Sequence, residues 1–294
     1  MRFSVLVSLL IVAGAVWSKP VTVTDFWGRE VSLAQPAQRI IALAPHIVEN
    51  VFTAGAGEQL IGVVAYSDYP EAALVTPKVG GYRSFSVEKI LSMQPDLVIA
   101  WASGNGSAVV SQLEGLGLPV YVDELSNLTD IAEAVRDIGV LTGNELPANK
   151  AANQFLARLG SLEHQYRQQS PVQVLYQVWN EPLQTLNGEH IISDVIELCG
   201  GRNVFADATA LAPKIGLESV FKRNPEAIVA SGMGEARPEW LDEWLQWPGL
   251  KAVKGNNLYF VPPDLLQRHT VRLLDGAEIL CKSLATARAK RANE

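Results

Sequence analysis

Basic clusters and long hydrophobic runs are absent from most of this 294-residue sequence. It contains 24 lysine and arginine residues against 31 acidic residues, which gives a formal net charge of −7. An acidic chain without a basic cluster cannot neutralise many phosphates, so nucleic acid is not an expected partner. Beyond the first 16 residues no apolar run approaches the roughly 20 residues that cross a bilayer, which argues against an integral membrane protein.

Catalytic and metal-binding motifs are also missing. The sequence has no Gly-x-Ser-x-Gly nucleophile turn, no His-Glu-x-x-His pair and no phosphate-binding glycine loop. Four histidines occur without metal-ligand spacing, and a pair formed by His46 and His269 is the one metal site left open. We therefore predict a protein that is not an enzyme and has no resident metal or cofactor. An exported hydrolase, which would need a nucleophile with a base and an orienting group, is kept as an alternative.

The amino-terminal segment has the features of a secretory signal peptide. Arg2 provides a positive charge, the apolar run Phe3–Val16 follows, and Val16-Trp17-Ser18 places suitable residues before a cleavage point after Ser18. The run is too short to span a bilayer, and no cysteine follows it for lipid attachment. We expect residues 1–18 to be removed and the remaining protein to be soluble in the periplasm.

Only two cysteines occur, Cys199 and Cys281. An even pair in an oxidising compartment usually forms a disulfide, whereas a cysteine nucleophile needs a positioned base and a lowered pKa. Cys199 precedes two glycines at a predicted helix end, and Cys281 lies in the apolar stripe of the last predicted helix. Both contexts favour a structural role, so we predict a disulfide between them.

Short runs rich in valine and isoleucine alternate with segments of helical periodicity. This alternation predicts βαβ units with mostly parallel sheets. The predicted strands are Arg39–Leu43, Leu60–Tyr66, Asp96–Trp101, Pro119–Asp123, Val172–Val178, Glu226–Ser231 and Asn257–Val261.

One long segment, Glu145–Gln169, contains no strand pattern. Its apolar residues form a single helical stripe: Ala148, Ala152, Phe155, Leu159, Leu162 and Tyr166. We interpret it as a rigid connector between two lobes. The predicted organisation is a signal peptide at 1–18, an N-terminal α/β lobe at 19–143, a connecting helix at 144–170 and a C-terminal α/β lobe at 171–294.

The two halves repeat each other weakly. Phe85–Ala100 and Ile215–Ala230 share a helix-to-strand pattern with a proline followed by an acidic residue at the junction. Glu88 and Glu218 occupy the same place in this pattern, 130 positions apart. Two similar Rossmann-like lobes joined by one helix would leave a ligand cleft between them.

Several motifs resemble periplasmic binding proteins with a single backbone helix, which serve importers of siderophores, haem and cobalamin. The opening resembles that family over Thr24–Val31 and Pro36–Pro45. Further motifs resemble the cobalamin branch: Ala65–Pro70, Pro95–Trp101 with the following Gly104-Asn105, and Cys199–Gly201. The resemblance covers essentially the whole chain after residue 18. It implies a monomer that binds a corrinoid between two lobes and delivers it to the permease of an ABC importer.

The resemblance also implies ligand-contact residues. Tyr66, Tyr82 and Trp101 match aromatic contact positions, although Tyr82 stands where the family has a tryptophan. Flat aromatic walls suit a broad macrocycle because they provide much contact area at low entropic cost. Asp264 and Arg268 match polar positions of the cleft, and the alternative is a solvated loop pair that contributes little.

The C-terminal half departs from the family pattern. Gln184 and Ala212 stand where aromatic residues are expected, and Trp179 lies nearby but out of position. The precise ligand therefore stays open between a corrinoid and the runner-up, haem or a ferric siderophore. A tyrosine at a position like Tyr82 ligates iron in haem-binding relatives.

Glu88 and Glu218 are expected to contact the transporter. Each lies in the first turn of a predicted helix, where a carboxylate also favours the positive end of the helix dipole. That effect explains either residue alone but not their repetition in both lobes. In the family these carboxylates dock on arginines of the permease, and such pairs are directional.

Overall fold

The computed structural model of the chain describes residues 20–232 and 236–292. The predicted signal peptide, residues 1–18, lies outside these described residues. Within them, no helix is both long enough and apolar enough to cross a membrane.

The N-terminal lobe is built around a parallel sheet. Its strands are β1 (Val21–Thr24), β2 (Glu30–Leu33), β3 (Ile40–Ala42), β4 (Leu60–Val64), β5 (Lys78–Gly81), β6 (Ser84–Phe85), β7 (Leu97–Trp101) and β8 (Val120–Asp123). Its α-helices are α1 (Pro45–Thr53), α2 (Val87–Ser92), α3 (Ala102–Asn105), α4 (Ser107–Gly115) and α5 (Leu128–Thr142), with 3-10 turns at Gly57–Gln59 and Glu71–Val75.

Six of these strands form one sheet in the order β6-β5-β4-β3-β7-β8. All its pairs are parallel except β5 with β6, while β1 and β2 form a separate antiparallel pair. Every residue of β3 and of β8 is buried, as is Leu97–Ala100 of β7. Helices cover both faces of such a sheet, and this explains why its central strands consist of continuous apolar runs instead of alternating patterns.

A single long helix, α6 (Glu145–Tyr166), follows the first lobe. Helix α5 begins at a capping box formed by Asn127 and Asp130 and ends at Gly143, whose φ of 73° lies in the left-handed region that favours glycine. The chain therefore turns sharply into α6, which packs back on α5 and against the last helix, α11. The residues of the predicted apolar stripe between Ala148 and Leu162 are buried, and its last member, Tyr166, is half-buried.

The C-terminal lobe contains a smaller sheet. Its strands are β9 (Val172–Gln177), β10 (Trp179–Asn180), β11 (Leu183–Gln184), β12 (Gly201–Asn203), β13 (Ala227–Ala230) and β14 (Leu258–Phe260). Its α-helices are α7 (Ile191–Leu198), α8 (Leu217–Arg223), α9 (Lys251–Lys254), α10 (Pro263–Leu266) and α11 (Leu273–Arg291), with a 3-10 segment at Glu239–Gln246.

Four strands of this lobe form an all-parallel sheet in the order β12-β9-β13-β14, and β10 and β11 form a small antiparallel hairpin. The predicted α/β fold with parallel sheets is confirmed. Each of the seven strands predicted from the sequence corresponds to an observed strand, with ends that differ by at most two residues.

The predicted disulfide is also present. Cys199, directly after α7, is bonded to Cys281 in α11 with an S–S distance of 2.02 Å. Both cysteines are fully buried. The bond fixes the carboxy-terminal helix to the interior of the second lobe.

Candidate functional site

The carboxyl ends of the N-terminal lobe's parallel strands carry aromatic side chains. Tyr66 follows β4, Tyr82 follows β5, Trp101 ends β7 and His46 lies in the first turn of α1, directly after β3. Because these strands are parallel, their carboxyl ends meet at one edge of the sheet. That edge is where ligands bind in open α/β sheets.

Tyr66 presents its ring to solvent at this edge. The residue is 78% exposed, whereas Val64, two positions before it, and Ser67, directly after it, are buried. Its φ of 63° lies in the left-handed region, which costs a non-glycine residue conformational energy. Strained conformations of this kind cluster at ligand-binding and active sites, so the geometry is compatible with the predicted contact role of Tyr66.

Asn105 fixes the relative position of Trp101 and Tyr82. Its Oδ1 accepts a hydrogen bond from the Trp101 backbone amide at 2.6 Å. Its Nδ2 donates to the carbonyls of Leu43 and Tyr82, at 3.1 and 2.6 Å. One amide therefore joins three strand ends, and the Tyr82 and Trp101 rings lie 5.8 Å apart, centre to centre.

A continuous line of rings leads from this pair into the second lobe. Trp101 packs edge-to-face on His46 at 5.2 Å, His46 lies 5.9 Å from His269, and His269 lies 5.5 Å from His190. His46 belongs to α1 of the first lobe, while His190 caps α7 and His269 precedes α11 in the second. The aromatic edge therefore reaches across the junction of the two lobes.

The three imidazoles differ in their surroundings. His46 Nε2 lies 2.9 Å from the buried carboxylate Asp123, so Asp123 fixes the orientation of the ring. Burial lowers the pKa of His190 to about 4. Burial, and then the nearby His190 and His46, lower the pKa of His269 well below its ordinary value. His190 and His269 are therefore neutral at pH 7.

Imidazoles this close raise the question of a metal. In the part of the chain that the structure describes, no group of three or more His, Cys, Asp or Glu residues is arranged to hold a metal ion. His46 and His269 do lie next to each other, as the sequence left open. The site is organised by aromatic and hydrogen-bonding contacts between the lobes.

Arg268 lies at the same junction and binds three carboxylates. Its guanidinium contacts Glu49 at 3.0 Å and Asp68 at 2.7 Å from the first lobe, and Asp264 at 3.1 Å from its own lobe. The Arg268 side chain is only 12% exposed. The structure therefore brings the two predicted polar residues, Asp264 and Arg268, together and adds two first-lobe acids to them.

Glu49 is the centre of this inter-lobe cluster. Its buried carboxylate also accepts hydrogen bonds from Thr270 at 3.1 Å and from Arg272 at 3.2 Å. A buried carboxylate is stabilised only when it is paired and fully hydrogen-bonded, and two arginines with one hydroxyl meet that need. Neither the sequence pattern nor the resemblance indicated Glu49, because its partners lie more than 200 positions away.

The hairpin formed by β10 and β11 contains Trp179 and Gln184, two of the positions at which the sequence departs from the family pattern. Trp179 is half-buried, and its indole nitrogen donates to the carbonyl of Glu181 at 2.9 Å. Gln184 pairs with Trp179 across the hairpin and donates its side-chain amide to the carbonyl of Ala212. Trp179, Gln184 and Ala212 thus form one neighbourhood, with Ala212 exposed.

Glu88 and Glu218 lie in the first turns of α2 and α8, and both are exposed. Hydrogen bonds from its own backbone amide and from the Ser86 hydroxyl lower the pKa of Glu88. Glu218 has no ion-pair partner among residues 20–232 and 236–292. Neither carboxylate belongs to the ring line or to the cluster around Glu49.

Comparison with known proteins gives a consistent result. A family model described as periplasmic binding protein matches residues 40–265. A vitamin B12-binding protein of Vibrio cholerae is 36% identical over 253 residues, which cover 86% of this chain and 91% of that protein. The vitamin B12-binding protein of Vibrio campbellii is 35% identical over 257 residues, or 87% of this chain and 92% of that one.

Solved structures extend the comparison to the fold. The crystal structure of the periplasmic vitamin B12 binding protein BtuF of Vibrio cholerae matches with a TM-score of 0.80 at 35% identity, over 86% of this chain and 98% of that chain. A periplasmic haem-binding protein from Pseudomonas aeruginosa matches with a TM-score of 0.73 at 22% identity, over 84% of this chain and 92% of that chain. At that lower identity the likeness concerns the fold alone.

Proposed function

The chain belongs to the periplasmic binding protein family, and from this premise we propose that it captures a corrinoid of the vitamin B12 type and delivers it to an ABC importer. The observation that carries the proposal is the 36% identity to a vitamin B12-binding protein over 86% of the chain. The haem-binding structures, at 20–23% identity, are similar only in fold.

The aromatic edge of the first lobe suits this ligand. Tyr66, Tyr82 and Trp101 offer flat apolar faces to a broad macrocycle, and Asn105 holds two of them in a fixed relation. Asp264 and Arg268 supply polar groups for the amides at its fringe. The ligand would lie between the lobes, with residues 19–143 and 171–294 as its two walls and residues 144–170 as the connection.

Delivery would also involve export across the inner membrane and contact with a membrane partner. The chain would cross the inner membrane with cleavage after Ser18, act as a monomer in the periplasm and carry no resident cofactor. Glu88 and Glu218 would meet cationic side chains of the permease. Because neither contacts the aromatic edge, docking and ligand capture would use different surfaces of the protein.

Titration calorimetry with cyanocobalamin and haemin side by side tests the proposal. We expect one cyanocobalamin per chain, bound with micromolar or tighter affinity. Trp101→Ala and Tyr66→Ala should each weaken binding by about 1–3 kcal/mol, the scale of a buried aromatic contact.

The control for this experiment is Tyr166→Ala, which removes an aromatic ring at the end of α6, near the amino-terminal side of the second sheet. Its corrinoid affinity should match that of the unaltered protein. Tight haemin binding together with weaker than micromolar affinity for every corrinoid would contradict the proposal and indicate a haem-binding function instead.

A further inference from the structure

The second sheet has one edge that points away from the first lobe. Arg268 and His269 follow β14 at its carboxyl end and lie at the junction of the lobes, so the amino ends of these parallel strands form the opposite edge. A cavity of about 400 Å³ opens there, lined by Val172 at the start of β9 and by Glu226 and Asn257 directly before β13 and β14. Helix α9 and the last turns of α11 complete its wall. The cavity is therefore separate from the aromatic edge.

The charge around this cavity is opposite to that of the whole chain. Four cations line it: Lys251, Lys254, Lys290 and Arg291. Glu226 is the one acid among the described residues that line it, so the local formal charge is four minus one, or +3. The whole chain carries −7. A concentration of positive charge in an acidic protein calls for a physical explanation.

Arg291 accounts for the acid. Its guanidinium lies 3.1 Å from one carboxylate oxygen of Glu226, and the other oxygen accepts the backbone amide of Gln173 at 2.9 Å. The charges of Arg291 and Glu226 therefore compensate each other. Burial, and then the charge of Arg291, lower the pKa of Arg288 on the same helix, which reflects how closely cations are placed here. The three lysine charges remain uncompensated.

Lys290 provides a fixed positive charge in the wall of the cavity. Its ammonium group donates to the carbonyls of Gly255 and Asn256, at 2.9 and 2.8 Å, and to Oδ1 of Asn257 at 3.2 Å. These bonds use all three donors of the ammonium group, and their acceptors are uncharged. Lys290 is thus held in place without a counter-ion, so a ligand would gain from its charge but not from a hydrogen bond to it.

Lys251 and Lys254 supply the ammonium groups that a ligand can reach. They lie three positions apart on α9, on the same side of the helix, and both are exposed. Within residues 20–232 and 236–292, neither lysine has an ion-pair partner, and neither has Lys290. Like charges around one cavity repel each other, and an anion with more than one charge would remove this repulsion.

We propose that this cavity is an anion-binding site, and that its ligand contains a phosphate or diphosphate group. Lysine ammonium groups are compact point charges that suit phosphate oxygens. A monovalent anion would compensate one of the three lysine charges, whereas a diphosphate compensates them together. The cavity volume of about 400 Å³ lies in the range of small-molecule sites. The site does not depend on the proposed function, because it lies at the end of the second lobe opposite the ligand cleft.

Titration calorimetry of the purified protein with sodium pyrophosphate tests this site, in about 150 mM sodium chloride to screen weak surface attraction. We expect one pyrophosphate per chain with a Kd below about 1 mM. Lys251→Ala/Lys254→Ala should bind it at least about tenfold more weakly, with unchanged cyanocobalamin affinity and unchanged thermal unfolding in the absence of pyrophosphate. The matched control is Lys150→Ala/Lys282→Ala, which removes two exposed lysines outside the cavity and the same net charge.

Flotation with phosphatidylglycerol vesicles distinguishes the two sources of such a phosphate. Vesicle binding that is lost in Lys251→Ala/Lys254→Ala would assign the site to a phospholipid headgroup, whereas pyrophosphate binding without vesicle binding would assign it to a soluble phosphate compound. An unaltered protein that binds neither probe would overturn the site. Equal affinity for pyrophosphate in both double variants would also overturn it. Failure of the unaltered protein to bind cyanocobalamin would contradict the proposed function and leave this result standing.

Discussion

At the scale of single residues, the site depends on side chains that hold others in place. Asn105 contacts three strand ends, and Asp123 orients His46. The sequence indicated the aromatic residues at strand ends, because a strand followed by an aromatic residue is a local pattern. It could not indicate His190 or Glu49, because their partners, His269 and Arg268, are distant in sequence and are brought near only by the packing of the lobes.

His190 predicts a dependence of stability on pH. Its pKa is lowered by burial from 6.5 to about 4, so the unfolded chain binds the proton more readily than the folded one. The contribution of His190 to the free energy of unfolding is therefore complete above pH 6.5 and is lost as the pH falls from 6.5 to about 4. A shift of this size corresponds to about 3 kcal/mol. His269 acts in the same direction, and Asp137, whose pKa is raised to about 6, acts in the opposite one.

Urea unfolding of the unaltered protein and of His190→Asn at pH 7 and pH 4 measures this effect. Asparagine retains a side-chain acceptor for the Ile192 amide, so the helix cap is kept while the titrating group is lost. The variant should lose less stability than the unaltered protein on acidification. Equal losses in both proteins would show that His190 does not titrate as its burial implies.

At the scale of secondary structure elements, the buried strands were the most predictable part of the fold. Their continuous valine and isoleucine runs follow from burial on both faces of a parallel sheet. Among the strands that were missed, β5 and β12 contain Gly80, Gly81 and Gly201, which interrupt any apolar pattern, and β6 is only two residues long. Gly80 has a φ of 142°, and a Cβ at this position would lie 2.5 Å from the β6 backbone, so the close pairing of β5 and β6 requires glycine.

The disulfide predicts a large contribution to stability. It joins α7 to α11 across 82 positions, and the chain-entropy model gives about 4 kcal/mol for a loop of this length. Reduction with a phosphine, or the Cys199→Ala/Cys281→Ala variant, should lower the free energy of unfolding in urea by about that amount. Corrinoid binding at low denaturant should persist, since neither sulfur contacts the aromatic edge. Identical unfolding curves for oxidised and reduced protein would contradict the prediction.

At the scale of the whole molecule, two kinds of connection hold the lobes together. Helix α6 packs on α5 of the first lobe and on α11 of the second. The cluster around Glu49 ties α1 to Arg268, Thr270 and Arg272 on the other side of the junction. A long helix and a buried ion cluster together restrict rotation of one lobe against the other, so large opening motions are not expected.

Because Glu88 and Glu218 are exposed and lie outside the aromatic edge, we expect their substitution to affect transport but not ligand binding. The double variant Glu88→Lys/Glu218→Lys should retain corrinoid affinity but reduce uptake at least about tenfold, because reversed charges would repel the cations that we propose on the permease. Each single variant should have a smaller effect. The matched control is Glu145→Lys, since Glu145 is also an exposed acid in the first turn of a helix, α6.

Ligand affinity by calorimetry and uptake by cells that lack their own binding protein would be measured on the same variants. If the double lysine variant supports normal uptake, Glu88 and Glu218 only stabilise the first turns of their helices and do not dock on the permease. If Glu145→Lys impairs uptake as strongly, the effect reflects net charge and not docking.

The position of the disulfide also has a consequence for how the protein is made. An exported chain emerges from the membrane with its amino end first, so the N-terminal lobe and α6 are outside before Cys281 follows. The first lobe contains no cysteine and needs no disulfide for its own folding, whereas the bond in the second lobe can form only after Cys281 has followed Cys199. The disulfide is therefore completed only when the last helix has arrived, and we expect a cell deficient in thiol oxidation to accumulate chains whose second lobe lacks this bond.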